Sequence, residues 1–234
     1  MVEAPLAQQL LEAVDRAVEG RWNAARERAR SLDGGRDERV AAVTEQVRRE
    51  LGVAGAASGG AAAVPGVGVG AVTATFLVEL AWSTMRLADL ILTIAAIHGH
   101  DRAGVEERRL WVLSILAYRD GASGAVTQLA EQLAASRSGP GRALSARSLQ
   151  RINLTMGRAL AARYGTRRGA AAAARAVPLG VGAALGYGIN RRLVTLTAEH
   201  AHGFFSNFPI GLEAIDVDAT LAPRPVPPSG ALGT

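Results

Sequence analysis

From Gly52 to Val78 the chain runs 27 residues without a charge. A membrane span needs roughly 20 apolar residues, so length alone would allow one. Its composition argues against a straight span. GVAGAASGGAAAVPGVGVGA is diluted by glycine, alanine and serine, and Pro65 lies inside it. Proline donates no backbone hydrogen bond and pushes the residue before it, Val64, out of the helical region. Two helical pieces are therefore expected, with a break near Val64–Gly70. Gly55 and Gly59 stand four apart, as do Gly66 and Gly70, and small residues at that spacing let helix backbones approach closely.

The second piece, about Ala71 to Ile97, reads as a long helix with three charges: Glu79, Arg86 and Asp89. At about 100° per residue, Arg86 lies about 20° from Glu79 and Asp89 about 80° from it, so all three share one side. A mostly apolar helix with such a polar seam faces a neighbour, a cavity or a pore along it. Charges in that setting are costly unless paired. Two readings stay open: a buried structural ion pair that fixes helix register, and a functional polar seam.

A shorter Gly/Ala segment returns at Ala170 to Asn190. Ala176-Val177-Pro178 repeats Ala63-Val64-Pro65, each followed by GVG, and Gly182 and Gly186 repeat the four-residue spacing. Its uncharged part is too short to span a bilayer alone. The expected fold is all-α: a helical bundle with two Gly/Ala-rich helical hairpins, around Pro65 and Pro178, packed together.

The remaining elements follow from periodicity and caps. Pro5 to Leu32 reads as one amphipathic helix, with Leu6, Leu10, Val14 and Val18 at i+4 and a charged, solvated second half. Asp33-Gly34-Gly35 breaks it. Asp37 is expected to cap a helix carrying Val40, Val43, Val47 and Leu51 on one side. Gly99 suits a helix stop and Asp101 the cap of a helix over Ala103–Tyr118. Another helix is expected from Ser145 to about Tyr164, and one over about Ile189–Ala201. Domain boundaries are placed at 1–35 for the N-terminal helix and turn, 36–215 for the main helical domain, and 216–234 for a disordered Pro-rich tail.

Charge is unevenly spread. All 26 basic residues are arginine, and residues 132–198 hold 11 of them with no acid. Such a block attracts polyanions. Arg147, Arg151 and Arg158 form a stripe opposite the apolar side of their helix. With Arg167, Arg168, Arg191 and Arg192 they are candidate contacts for anionic lipid or phosphate. Aromatic residues near this block are few, Tyr164 and Tyr187, so nucleic acid is not an expected partner. The alternative is an ordinary solvated arginine face.

The chain lacks cysteine, which excludes disulfides and thiolate metal sites. The N-terminal stretch has no basic region followed by an apolar one, so a cytoplasmic start is expected. No P-loop, serine nucleophile elbow or HExxH occurs, and no cofactor is expected. All four histidines fall in two His-x-His pairs, His98/His100 and His200/His202, with Asp101 and Glu199 beside them. Were the two segments to pack side by side, these groups would form a divalent-metal site. The competing reading is polar residues at helix ends.

Four stretches together resemble a known family, the EcsC-like proteins: GAASGGAAAVPGVG, MRLADLILTIAAIHGHD, RRLWVLSILAYRDG, and RAVPLGVGAALGYGINRRL with Phe204-Phe205 after it. Glu79, Arg86, Ile94-Ala95, Gly99 and Asp101 occupy the family's places, and His98 stands where a tyrosine is usual. The resemblance covers about residues 38–208. It implies a helical bacterial domain named for a protein encoded beside an ABC transporter, with no established activity. The expected function is therefore a non-enzymatic, membrane-associated helical protein, accessory to an ABC transporter or another membrane process. It would sit peripherally or partly inserted at the inner face of the bacterial membrane. The alternatives are a soluble domain that binds a lipid or apolar ligand, and an enzyme using the carboxylates and histidines.

Overall fold

A computed structural model describes residues 3–61, 69–118 and 181–207. They form six helices: α1 (Glu3–Gly20), α2 (Trp22–Ser31), α3 (Arg36–Ala61), α4 (Val69–Ile97), α5 (Val105–Tyr118) and α6 (Val181–Asn207). No strand occurs among the described residues, and the fold is an all-α bundle.

The long helix α4 is the axis of the bundle. From Leu87 to Ala95 every side chain is buried, as expected of a helix apolar on all sides and enclosed by others. Its stretch Val78–Ile97 is long and apolar enough to cross a membrane, but 72% of it is buried inside the bundle. Each fully buried leucine or isoleucine there contributes roughly 1.5–3 kcal/mol from apolar area removed from water. That accounts for this helix as a core element.

Among the described residues, α3 and α6 form the most extensive helix–helix contact. On α3 the inward stripe runs Val40, Val43, Val47, Leu51, all buried, and then changes to Gly52 and Gly55. On α6 it runs Gly186, Asn190, Val194, Ala198, Ala201 and Phe205. The two helices are antiparallel, because Gly55 meets Gly186 at one end and Asp37 meets His202 at the other. The glycine-rich stretches of the two halves therefore do meet. The turns at Pro65 and Pro178, residues 208–234 and the expected helix from Ser145 to Tyr164 lie outside the described residues.

The N-terminal segment differs from expectation. It is two helices, with Arg21 at φ −111° and ψ 0° between them. Its second half is also not simply solvated: Trp22, Ala25 and Ala29 are buried against the core. Small alanines at i+3 and i+4 let α2 lie close to α4, and its arginines reach over them. Arg108 of α5 locks the junction, donating to the Val18 carbonyl at 3.0 Å while its guanidinium lies 5.1 Å from the centre of the Trp22 ring.

Two cap assignments also change. The α3 entry is made by Glu38, whose carboxylate accepts the Gly35 N–H at 2.7 Å; Asp37 is one of the acidic residues of the first turn. Asp101 does not cap α5, because that helix begins four residues later; it pairs instead with Arg26 at 3.3 Å. The α4 stop is as read. Gly99 has φ +89°, and the His100 and Gly99 N–H groups return to the Ala95 and Ala96 carbonyls. This is the Schellman arrangement, which favours glycine at the left-handed position.

Candidate functional site at the glycine-rich helix junction

The three seam residues of α4 divide between two sites. Asp89 is fully buried and gathers three arginines from three places in the chain. Arg86, one turn before it, donates at 2.6 Å, Arg28 of α2 donates at 2.8 Å, and Arg21 lies 3.4 Å away. Arg86 also pairs with Glu50 of α3. Arg28 adds a 3.3 Å bond to the Thr93 hydroxyl, which itself donates to the Asp89 carbonyl. A buried carboxylate survives only when its charge is matched, and here the match fixes α2 and α3 against α4. Arg21, Arg28 and Glu50 were not legible as members of this cluster. This half of the N-terminal segment reads from sequence as solvated; the spacing of Trp22, Ala25 and Ala29 on one helical side is the signal that could have marked α2 as packed.

Glu79 stands apart, about two turns before Arg86 and nearly three before Asp89. The Ser58 hydroxyl of α3 donates to it at 2.8 Å. Asn190 of α6 donates to the Leu51 carbonyl of α3 at 2.9 Å and stands near enough to the Glu79 carboxyl to act on it. Three helices thus converge on one carboxylate. Burial pushes the Glu79 carboxyl above its ordinary range, and the Ser58 hydroxyl and Asn190 oppose that.

Next to this junction the bundle leaves apolar side chains in water. Val78 is 72% exposed, Val53 65%, Ile189 63% and Leu185 47%. They come from all three converging helices. Just beyond Ile189, Arg191 and the exposed Arg192 supply positive charge. Arg191 donates to the Tyr187 hydroxyl at 2.7 Å, lies 5.3 Å from the centre of that ring, and reaches Glu45 at 3.7 Å. Arg147, Arg151, Arg158, Arg167 and Arg168 lie outside the described residues.

At the other end of the bundle the histidines separate. His98 and His202 meet, ring nitrogen to ring nitrogen, at 3.1 Å, and His202 lies 3.6 Å from Asp37. His100 is turned into the core instead, between the Trp111 and Phe205 rings at 5.4 and 5.2 Å. Residues two apart on a helix point to opposite sides, so His200 does not join His202. The four imidazoles therefore do not converge. Among the described residues no group of three or more His, Asp or Glu side chains is placed to hold a metal. Burial holds the His98 imidazole neutral, with a pKa down to about 4; His202, Arg36 and His100 act the same way, and Asp37 opposes them.

No protein-family model, no curated protein and no solved structure matches the chain.

Proposed function

We propose that the chain is an EcsC-like, non-enzymatic protein that associates peripherally with an anionic membrane through the glycine-rich end of its bundle, in support of a transporter or other membrane process. The observation that carries the reading is the set of exposed apolar side chains, Val53, Val78, Leu185 and Ile189, on three helices at one end. A single exposed apolar residue needs no explanation, but four of them on three helices that converge at one end support reading that end as an interaction surface. The occupant is chosen by charge. Arg191 and Arg192 follow Ile189 on α6, and the carboxylate-free segment 132–198 carries nine further arginines before that helix begins. Apolar insertion combined with arginine at the rim is the pattern of interfacial binding to anionic lipid.

The core position of Val78–Ile97 favours surface docking of an intact bundle over a spanning helix. Asp89 with its arginines also fits a structural role within this reading, since its charge is matched inside the protein.

Flotation with vesicles tests the proposal. The protein should float with vesicles of mixed phosphatidylcholine and phosphatidylglycerol at low salt, and far less with phosphatidylcholine alone. Ile189→Glu and Val78→Glu should weaken flotation while leaving helical content unchanged. Protein that stays soluble with anionic vesicles at low salt would sink the reading.

A further inference from the structure

Glu45 of α3 draws three arginines from two helices. Arg48 reaches it at 3.0 Å and Arg49 at 3.2 Å from its own helix, and Arg191 of α6 lies 3.7 Å away. The first two are ordinary pairs along a helix surface. The third crosses between helices and is held in place. Arg191 donates to the hydroxyl of Tyr187, one turn before it, at 2.7 Å. The Tyr187 ring in turn rests on Gly52, where a methyl group would come within 2.8 Å of a ring carbon. We infer that Arg48, Arg49 and Arg191 form the seat of a phosphomonoester headgroup of a membrane lipid, with Glu45 holding the three arginines together until the headgroup arrives.

The inference rests on the membrane reading above and names the headgroup chemistry of that contact. Among the described residues, three arginines against one carboxylate leave two positive charges uncompensated. Glu50, the residue after Arg49, does not supply the balance, because Arg86 and Gln46 engage it. The Arg48 Nε–H, shut off from solvent, finds no acceptor among the described residues. A phosphomonoester carries nearly two negative charges and three strong acceptor oxygens, whereas a phosphodiester or a carboxylate carries one charge and two free oxygens. Arginine forks match phosphate oxygens in pairs. The ligand that balances this set is therefore the monoester.

Position selects a lipid over a soluble phosphate. Arg49 and Val53 stand four apart on α3, and both are exposed. On α6 the exposed Arg192 follows the exposed Ile189 by three. On each helix, then, an arginine lies about one turn, or about 5 Å, behind an apolar residue in water. Interfacial helices bury their apolar side about 5–10 Å into the boundary of headgroups and acyl chains, which puts these arginines at the level of the phosphates. The Arg49 hydrogen bond, and with it the charges of Arg48 and Arg191, hold the Glu45 carboxyl below its ordinary range, while desolvation opposes them. The same three guanidinium groups would meet an incoming phosphate.

The test is flotation at about 0.1 M salt, where exposed charges more than about 10 Å apart are largely screened. Phosphatidylcholine vesicles carrying phosphatidate are compared with vesicles carrying phosphatidylglycerol, matched for surface charge. Wild type should favour phosphatidate. Glu45→Gln removes the competing carboxylate and should raise phosphatidate binding about fivefold, the worth of one charge near a membrane surface. Arg49→Gln should lower it by a similar factor; Arg49 is exposed, and circular dichroism verifies that the helices are kept. Glu27→Gln makes the same charge change as Glu45→Gln on α2, beside the Arg26–Asp101 pair at the far end of the bundle, and should leave binding near wild type. Equal binding of wild type to the two lipids, or a Glu45→Gln gain no larger than that of Glu27→Gln, overturns the seat and leaves the membrane reading standing. Failure to float with either lipid overturns both. Calorimetry with glycerol 3-phosphate separates the two sources of the phosphate: saturable binding without vesicles, lost in Arg49→Gln, overturns the lipid assignment in favour of a soluble phosphomonoester.

Discussion

Gly55 and Gly186 touch backbone to backbone where α3 crosses α6. A methyl group built on either would run into the other's main chain, with the Gly186 carbonyl oxygen closest in one direction and the Gly55 carbonyl oxygen in the other. The obstacle is backbone, which cannot rotate away as a side chain can. Close approach of this kind is what small residues on a helix side allow.

Gly186→Ala should therefore destabilise the protein. Overpacking costs typically about 1–3 kcal/mol, and the gain in helix propensity, about 1 kcal/mol, only partly offsets it. Gly188 lies on the same helix with open space around it, so Gly188→Ala should be neutral or stabilising. Urea unfolding of the two variants beside wild type decides this. Equal stability of Gly186→Ala and Gly188→Ala would mean that the crossing is not tight.

Asp89→Asn should be among the most damaging single changes. It removes the charge that balances Arg86, Arg28 and Arg21 at a fully buried position. Breaking a buried pair by removing one partner costs about 3–5 kcal/mol. Arg28→Met should cost less, because Arg28 is partly exposed and Arg86 remains. Chemical denaturation orders the two, and a mild Asp89→Asn beside a severe Arg28→Met would contradict the network described.

Stability should fall on acidification through the His98 imidazole. Its pKa in the folded protein is about 4, against an ordinary value near 6.5. Between those values the unfolded chain binds a proton that the folded chain does not, so stability is full above about pH 6.5 and is lost as pH drops towards 4. The size is on the order of 2 kcal/mol after allowance for partial solvent access. His98→Asn removes this slope, read as the difference between the two proteins in thermal unfolding from pH 7.5 to pH 4. A parallel pair of curves would exclude the histidine as its source.

Gly99→Ala isolates backbone strain. Gly99 has φ +89° and nothing near enough for a methyl to meet, so the whole cost is conformational. A non-glycine residue held there costs about 1–3 kcal/mol. Asparagine tolerates the left-handed region better than alanine, so Gly99→Asn should cost less than Gly99→Ala in thermal unfolding. The reverse order would argue against the left-handed stop.

Helix content, the α4 stop at Gly99 and the buried sides Leu10–Val14–Val18 and Val40–Val43–Val47–Leu51 were all determined by the sequence. These depend on contacts within a few residues: a period near 3.6, a glycine at a helix end, valines and leucines at i+3 and i+4. The paired glycines of Gly55 and Gly186 were legible as candidates for close contact, but not their pairing with one another. Only the tertiary structure decided who meets whom. It joined Arg86 to Asp89 and added Arg21, Arg28 and Glu50; it moved Glu79 out of that group and gave it Ser58 and Asn190; it brought His98 to His202 and turned His100 into the aromatic core. Arg86 and Asp89 lie one turn apart on α4, whereas the partners Arg21, Arg28 and Glu50, the Glu79–Ser58 contact and the His98–His202 contact each span tens of residues of chain. The sequence shows which groups carry charge and which side of a helix they share. Which partner reaches a buried carboxylate is settled by how helices cross, and here the crossing is set by the absence of side chains at Gly55 and Gly186.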